Sequence, residues 1–283
     1  MATIAILGAG DIGGAVAHAV ASCGVVDRVL LIDARDQVAA GKALDLQQAG
    51  AIIGWRTRLE GTADVTKAIG CAACVLADRF AFGEWTSDDG VALLSRLGRD
   101  LGSAPFVFAG TTCTALIERC AYELGLPRRR LIGSAPEAFT SAARAVVAVD
   151  SGSSPDEVAL SVFGRPPRDL IVPWTDVSIG GLRADACLSQ AQLAQLEGRV
   201  SRLWPPGPYT LGLAAAQIAS AVVRAPRATF SVTTALDGEF GQRRGVGIVR
   251  ARLGVQGIAD TLAPTLSPRD SVRVQSALSA VAR

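Results

Sequence analysis

The chain has 283 residues, enough for one large domain or two ordinary ones with a substantial core. Some 49% of its residues are hydrophobic, 19% are charged and 30 are glycine, the balance of a soluble α/β protein. A net charge of +2 excludes the basic field that nucleic acid or an anionic membrane surface would need, so neither is expected as a partner.

The N-terminus is apolar from Thr3 to Val26, but it has no positively charged lead, carries Asp11 in its middle and is broken by glycines. It therefore does not read as a secretory signal. No other run is long enough to span a bilayer, and a cytoplasmic location is expected. The stretch "TIAILGAGDIGGAVAHAVASCG" instead joins a short strand, Ile4 to Leu7, to a glycine-rich turn and a helix. Ile12, Val16, Ala19, Val20 and Cys23 recur at helical spacing and predict the face that packs on a sheet. Gly8, Gly10 and Gly13 stand in G-x-G-x-x-G order. The first permits the tight turn, the second lets the backbone approach a pyrophosphate, and the third allows close helix–strand packing. The helix N-terminus presents free N–H groups and a partial positive charge to the phosphates. Gly8, Gly10, Asp11, Ile12 and Gly13 are thus candidate dinucleotide-binding residues. A second strand, "RVLLID", ends in Asp33, twenty positions after Gly13, where a carboxylate accepts hydrogen bonds from an adenosine ribose. A carboxylate there repels a 2′-phosphate and favours NAD over NADP, although Arg35 stands close enough to keep the second in view.

Strands and helices go on alternating through "GKALDLQQA", "CAACVLA", "FVFAG" and "RLIGSA", the pattern of a doubly wound parallel sheet. Within it Cys71 and Cys74 have redox or zinc spacing, but they lie in what reads as a buried strand without a second pair, and no metal site is expected. The βα pattern gives way near Gly133. This predicts two domains, residues 1–133 for the dinucleotide and 134–283 for the remainder. In the second part, "SGSSPDE" reads as a turn before a strand, the segments around "SQAQLAQLEGRVSRLW" and from Tyr209 to Arg224 as helices, and Asp237-Gly238 as a turn leading to a hairpin.

"GAGDIGG", Asp33, "GKALDLQQA", "ELGLPRRRLIGSA" and "LDGEFGQRRGVGIVRARLGVQGI" occur in an order and spacing that resemble the lactate/malate dehydrogenase family from residue 3 almost to the C-terminus. The resemblance implies a Rossmann-type NAD-binding domain followed by an α+β substrate domain, NAD as cofactor, a small 2-hydroxy acid or other alcohol/carbonyl substrate, and a homodimer or homotetramer. It also implies a catalytic histidine held by an aspartate, and arginines that clamp the substrate carboxylate.

Those positions are filled otherwise in this chain. "VFGRPPRDLIVPW" (Val162 to Trp174) matches the segment of the catalytic histidine and puts Pro166 in its slot, or Pro167 with a one-residue shift. The chain's single histidine, His18, belongs to the first helix, off its apolar face. In "GSAPEAFTSAARAVVA" the aspartate slot holds Phe139 and the arginine slot Ala142, while Arg144 matches a position that is structural in the family; Glu137 is a carboxylate two residues out of place. The loop "DRFAFGEWTSDDG", Asp78 to Gly90, has Arg79 as its one arginine, and Phe80, Phe82 and Trp85 give it the character of a packed lid or contact surface. The Asn-Pro pair expected after the next strand is replaced by Gly110-Thr111. Asp169, Tyr209 and Arg79 remain as substitute catalytic groups, and Arg165 and Arg168 as possible anion contacts, beside the plainer reading of an exposed charged turn. Two functions follow: an NAD-dependent oxidoreductase with a rearranged site, or a catalytically silent pseudoenzyme kept to bind a dinucleotide or a protein partner.

Overall fold

A computed structural model describes residues 2–85 and 87–279. In chain order the first half contains β1 (Thr3–Leu7), α1 (Asp11–Cys23), β2 (Arg28–Ile32), α2 (Asp36–Ile53), β3 (Arg58–Thr62), β4 (Ala73–Leu76), α3 (Ser87–Asp100), β5 (Phe106–Phe108), α4 (Cys113–Tyr122), β6 (Leu131–Gly133) and α5 (Ala135–Ser151). The second half contains β7 (Val158–Ala159), β8 (Phe163–Arg165), β9 (Asp169–Ile171), β10 (Ser178–Ile179), β11 (Leu182–Arg183), α6 (Ala184–Cys187), α7 (Gln190–Val200), α8 (Pro208–Arg224), β12 (Thr229–Ala235), β13 (Val246–Gly254), β14 (Gly257–Leu262) and α9 (Pro268–Ser279). Among the described residues eleven strands form one sheet, ordered β3-β2-β1-β4-β5-β6-β12-β13-β8-β9, with β14 paired to β13.

From β3 to β6 every pairing is parallel. Such strands are covered on both faces, and their side chains divide accordingly. Ile4 and Ile6 enter the core shared with α1 and α8, whereas Ala5 and Leu7 enter the opposite core with Leu94, Phe106 and Leu116. The strand order reverses at β1, with β2 and β3 on one side and β4 to β6 on the other. This opens a crevice at the C-terminal ends of β1 and β4, where open α/β sheets bind ligands. Beyond Gly133 the pairings turn antiparallel, beginning with Gly133 opposite Thr233.

α1 buries Ile12, Val16 and Val20 as its spacing predicts, and Gly24 in the left-handed conformation (φ 60°) ends it. Cys23 departs from the expectation: it is exposed, because the face it shares with His18 and Ser22 turns to solvent in the last turn. The segment "VFGRPPRDLIV" is not an open loop. It folds into the β8–β9 hairpin, with Arg165 opposite Asp169 and a cis bond between Pro166 and Pro167. Gly164 is required there: its φ is +100°, and a Cβ would stand 1.9 Å from the Asp169 carbonyl oxygen.

α8 lies so close to α1 that a Cβ on Gly212 would stand 2.4 Å from that of Ala15. Gly212→Val should therefore push apart the helix that carries the glycine turn and cost roughly 1–3 kcal/mol, read as a lower midpoint in urea unfolding. Arg128, just before β6, grips Glu239 near the β12–β13 turn through two bonds of 2.7 and 3.0 Å. Burial alone would raise the Glu239 carboxyl, but the Arg128 bonds and the Asp237 N–H outweigh it and hold it at about 2. A carboxyl held below its ordinary 4.5 contributes stability that is complete above that pH and lost as pH falls towards 2. Glu239→Gln should flatten the acid limb of the stability–pH curve in that window.

Candidate functional site

The glycine turn lies in the crevice between β1 and β4. α1 has no side-chain cap of its own: Gly10 is its N-cap and contributes none. First-turn N–H groups need acceptors, and here they find them in the second residue after β4. Asp78 receives the Asp11 N–H at Oδ2 and the Gly13 N–H at Oδ1, both at 2.9 Å, and its carbonyl receives the Gly10 N–H at 2.9 Å. The glycines admit this contact. A Cβ on Gly10 would lie 2.2 Å from Asp78 Oδ2, one on Gly8 (φ +116°) 2.3 Å from the Asp78 carbonyl oxygen, and one on Gly13 2.0 Å from the Gly8 carbonyl oxygen. Lys42 Nζ bonds the carbonyls of Ala9 and Gly10 at 2.8 Å and brings a positive charge beside the turn.

Asp33 is 4% exposed. Its Oδ2 accepts N–H bonds from Ala9 and Phe80, and its Oδ1 one from Arg35. The Arg35 guanidinium lies 5.4 and 5.9 Å from the ring centroids of Phe80 and Phe82. Further along the same loop, Glu84 accepts the N–H and hydroxyl of both Thr111 and Thr112 at 2.6–3.1 Å, at the start of α4. Trp85 Nε1 bonds the Leu7 carbonyl at 3.2 Å. The expectation of a packed loop holds for Trp85; Phe82 remains 63% exposed.

Of the predicted cofactor residues, the structure brings Gly8, Gly10, Asp11, Gly13 and Asp33 together, all facing Asp78 or its loop; Ile12 points its side chain into the core. The substitute catalytic groups fare differently. Arg79 pairs with Asp89 at 3.0 Å and stacks on Phe82 and Trp85, so its guanidinium is committed to the loop's own packing. Tyr209 is 78% exposed and, with Leu213, lines surface grooves, one of them shared with Asp11 and Lys42 on the outer side of the glycine turn. Asp169 is exposed on the hairpin, paired across it with Arg165. Arg165 is tied to Glu118 of α4 at 2.9 Å, and Arg168 points to solvent. Pro166 is buried, and Phe139 is 1% exposed against Trp204. Glu137 is buried and receives the Ser231 N–H, while burial pushes its carboxyl up. Cys113, next to Glu84, is pushed up to about 12, first by burial and then by the Glu84 charge, so it is no nucleophile. Cys74 is buried within β4 and Cys71 just before it, and among the described residues no group of three or more His, Cys, Asp or Glu is placed to hold a metal ion.

Asp78 and Glu84 escaped the sequence reading because their partners are 65 and 27 residues away. The available signal was topological: with β4 parallel to β1, the chain that leaves β4 runs beside the glycine turn and brings Asp78, two residues on, to face it. That face also borders a cavity of about 290 Å³ lined by Asp11, Asp78, Glu84, Thr111, Pro205 and Pro206, with no cationic side chain in its wall.

A glycine turn opening a helix at the reversal of a parallel sheet ordered 3-2-1-4-5-6 defines a Rossmann-type dinucleotide-binding domain. Residues 2–76 match the model of the lactate/malate dehydrogenase NAD-binding domain. Malate dehydrogenase from Thioalkalivibrio sulfidiphilus is 25% identical, spanning 99% of this chain and 97% of the relative; that from Salinibacter ruber is 23% identical over 96% and 92%. Among solved structures, malate dehydrogenase of Salinibacter ruber superimposes with a TM-score of 0.89 at 21% identity (99% and 95% covered). Lactate dehydrogenase of Cryptosporidium parvum, complexed with lactic acid and nicotinamide adenine dinucleotide, superimposes with 0.89 at 20% (99% and 96% covered). The chain is thus similar over nearly its whole length to malate dehydrogenases, and residues 2–76 carry the match to the NAD-binding domain of the lactate/malate dehydrogenase family. The glycines, the α1 N-terminus and Asp33 form the cradle for NAD, and in this conformation Asp78 occupies part of it by taking the Gly10, Asp11 and Gly13 N–H groups.

Glu84 does for α4 what a capping side chain does elsewhere. Glu84→Ala should leave the Thr111 and Thr112 N–H groups without their acceptor and cost about 1–2 kcal/mol in urea unfolding, with Glu84→Gln recovering part of it.

Proposed function

We propose that this chain is an NAD-binding member of its family that does not exchange hydride with small 2-hydroxy acids through the family's usual residues, and that it persists as a dinucleotide-binding scaffold. The observation that carries this reading is the inertness of every position that would do the chemistry. Pro166 is buried in a hairpin, Phe139 in the core, and Arg79 is bound to Asp89. A positioned acid/base alone is worth about 10²–10⁴ in rate. A 2-oxo acid also needs a cation to grip its carboxylate, whereas the 290 Å³ cavity at the strand ends is walled by Asp11, Asp78 and Glu84. That same wall favours one second reading, an NAD-dependent oxidoreductase of a small alcohol or carbonyl compound without a carboxylate. The exposed Tyr209 and Leu213 on α8 offer an apolar surface for the homo-oligomer that the family likeness suggests.

The test is concentrated protein with NADH and a panel of pyruvate, oxaloacetate, ketones and aldehydes, followed at the nicotinamide absorbance band. No protein-dependent loss of absorbance is expected. Turnover of pyruvate or oxaloacetate that disappears in Gly10→Trp would overturn the proposal, and turnover confined to carboxylate-free carbonyls would select the second reading.

A further inference from the structure

We propose that the loop from Asp78 to Trp85 is an intramolecular stand-in for the dinucleotide, so that NAD binds only when this loop leaves the crevice. The inference rests on the NAD-binding reading above and adds to it what controls access to the site.

The loop matches the ligand group by group. A dinucleotide presents an anionic pyrophosphate to the N–H groups at the start of α1. Here the Asp78 carboxylate takes the Asp11 and Gly13 N–H groups, and its carbonyl takes that of Gly10. A ribose presents hydroxyl donors to the carboxylate after the second strand. Here the Phe80 N–H donates to Asp33 Oδ2 at 2.9 Å, and the remaining bonds from Ala9 and Arg35 complete that carboxylate. Beyond it, where a ribose would continue into its flat base, the rings of Phe80 and Phe82 lie against the Arg35 guanidinium. Anion, donor and aromatic surface thus follow one another along a single short loop.

Joint occupancy is excluded on two grounds. The carboxylate and carbonyl oxygens of Asp78 already stand at hydrogen-bond distance from the Gly10, Asp11 and Gly13 N–H groups, so a phosphate oxygen would have to displace them to take these donors. Bringing pyrophosphate charges beside the Asp78 carboxylate would also set like charges together on one helix terminus. The contact is built to be stable and yet to release. Glu84 on Thr111 and Thr112, and Trp85 on Leu7, anchor the far end of the loop. Its tip turns back on itself through Gly83 N–H to the Arg79 carbonyl, with Ala81 in the left-handed region at φ 64°. An alanine held there costs free energy that is recovered when the turn opens. A ligand that binds only the open form has its affinity reduced by the fraction of molecules that are open.

NADH fluorescence titration of the full chain tests this with Asp78→Gly, which removes the carboxylate, and Asp78→Asn, which keeps its shape but not its charge. Hydrogen exchange at the Asp11 and Gly13 amides is followed alongside. Asp78→Gly is expected to bind NADH at least tenfold more tightly than the unaltered chain, with Asp78→Asn between them, and the two amides should be protected in the unaltered chain and fast in Asp78→Gly. Equal NADH affinity in all three proteins would overturn the stand-in while leaving the dinucleotide reading intact. Fast exchange at those amides in the unaltered chain would overturn it as well, by showing that the carboxylate does not hold them. No binding by any of the three, with Asp78→Gly folded and its amides freed, would overturn the dinucleotide reading and the stand-in with it.

Discussion

The parallel pairing of β1 with β4 is the constraint from which the site follows. Leu7 lies opposite Leu76, so the two chains leave the sheet side by side and in the same direction. One continues into the glycine turn and α1, the other into Asp78. A helix N-terminus in that position has unsatisfied donors and a partial positive charge, and the first acidic residue to emerge from the neighbouring strand can satisfy both. Lys42 holds the turn from the other side by bonding its carbonyls, so the glycine segment is fixed by protein groups on both of its polar edges.

The glycine turn, the strand before it, the helix after it and the acidic end of β2 were legible in the sequence because each is written in neighbouring residues. Glycine spacing, apolar periodicity and a carboxylate at a fixed distance need no knowledge of the rest of the chain. The parallel sheet was legible for the same reason. The β8–β9 hairpin was not, since Gly164, two prolines and flanking charges describe a turn equally well without strand pairing; what fixes the pairing is β13, where Ile248 lies opposite Gly164. Tyr209 illustrates a different failure. Its position at a helix entrance was read correctly, but which side of α8 it takes depends on Gly212 docking against α1, and that docking turns Tyr209 outward.

The substitutions at the family's catalytic positions share one physical character. At the positions that the family resemblance assigns to a proton carrier and charged clamps, the sequence reading places Pro166, Phe139 and Ala142, groups that can be buried without solvation cost. The charges that remain are directed inward to the chain itself: Arg79 to Asp89, Arg165 to Glu118, Glu84 to α4. The crevice therefore has much of its polar surface bonded within the chain itself.

An occupant that is part of the polypeptide cannot be dialysed away or diluted. A preparation of this protein stripped of every small molecule would still have its glycine turn bonded and rigid. Ligand binding raises a melting temperature when it adds contacts to the folded state; here a nucleotide would exchange new bonds for those of Asp78, and the gain would be small. A thermal-shift survey of nucleotides would therefore pass over this chain, and direct measurement of bound ligand is the appropriate way to ask what it holds.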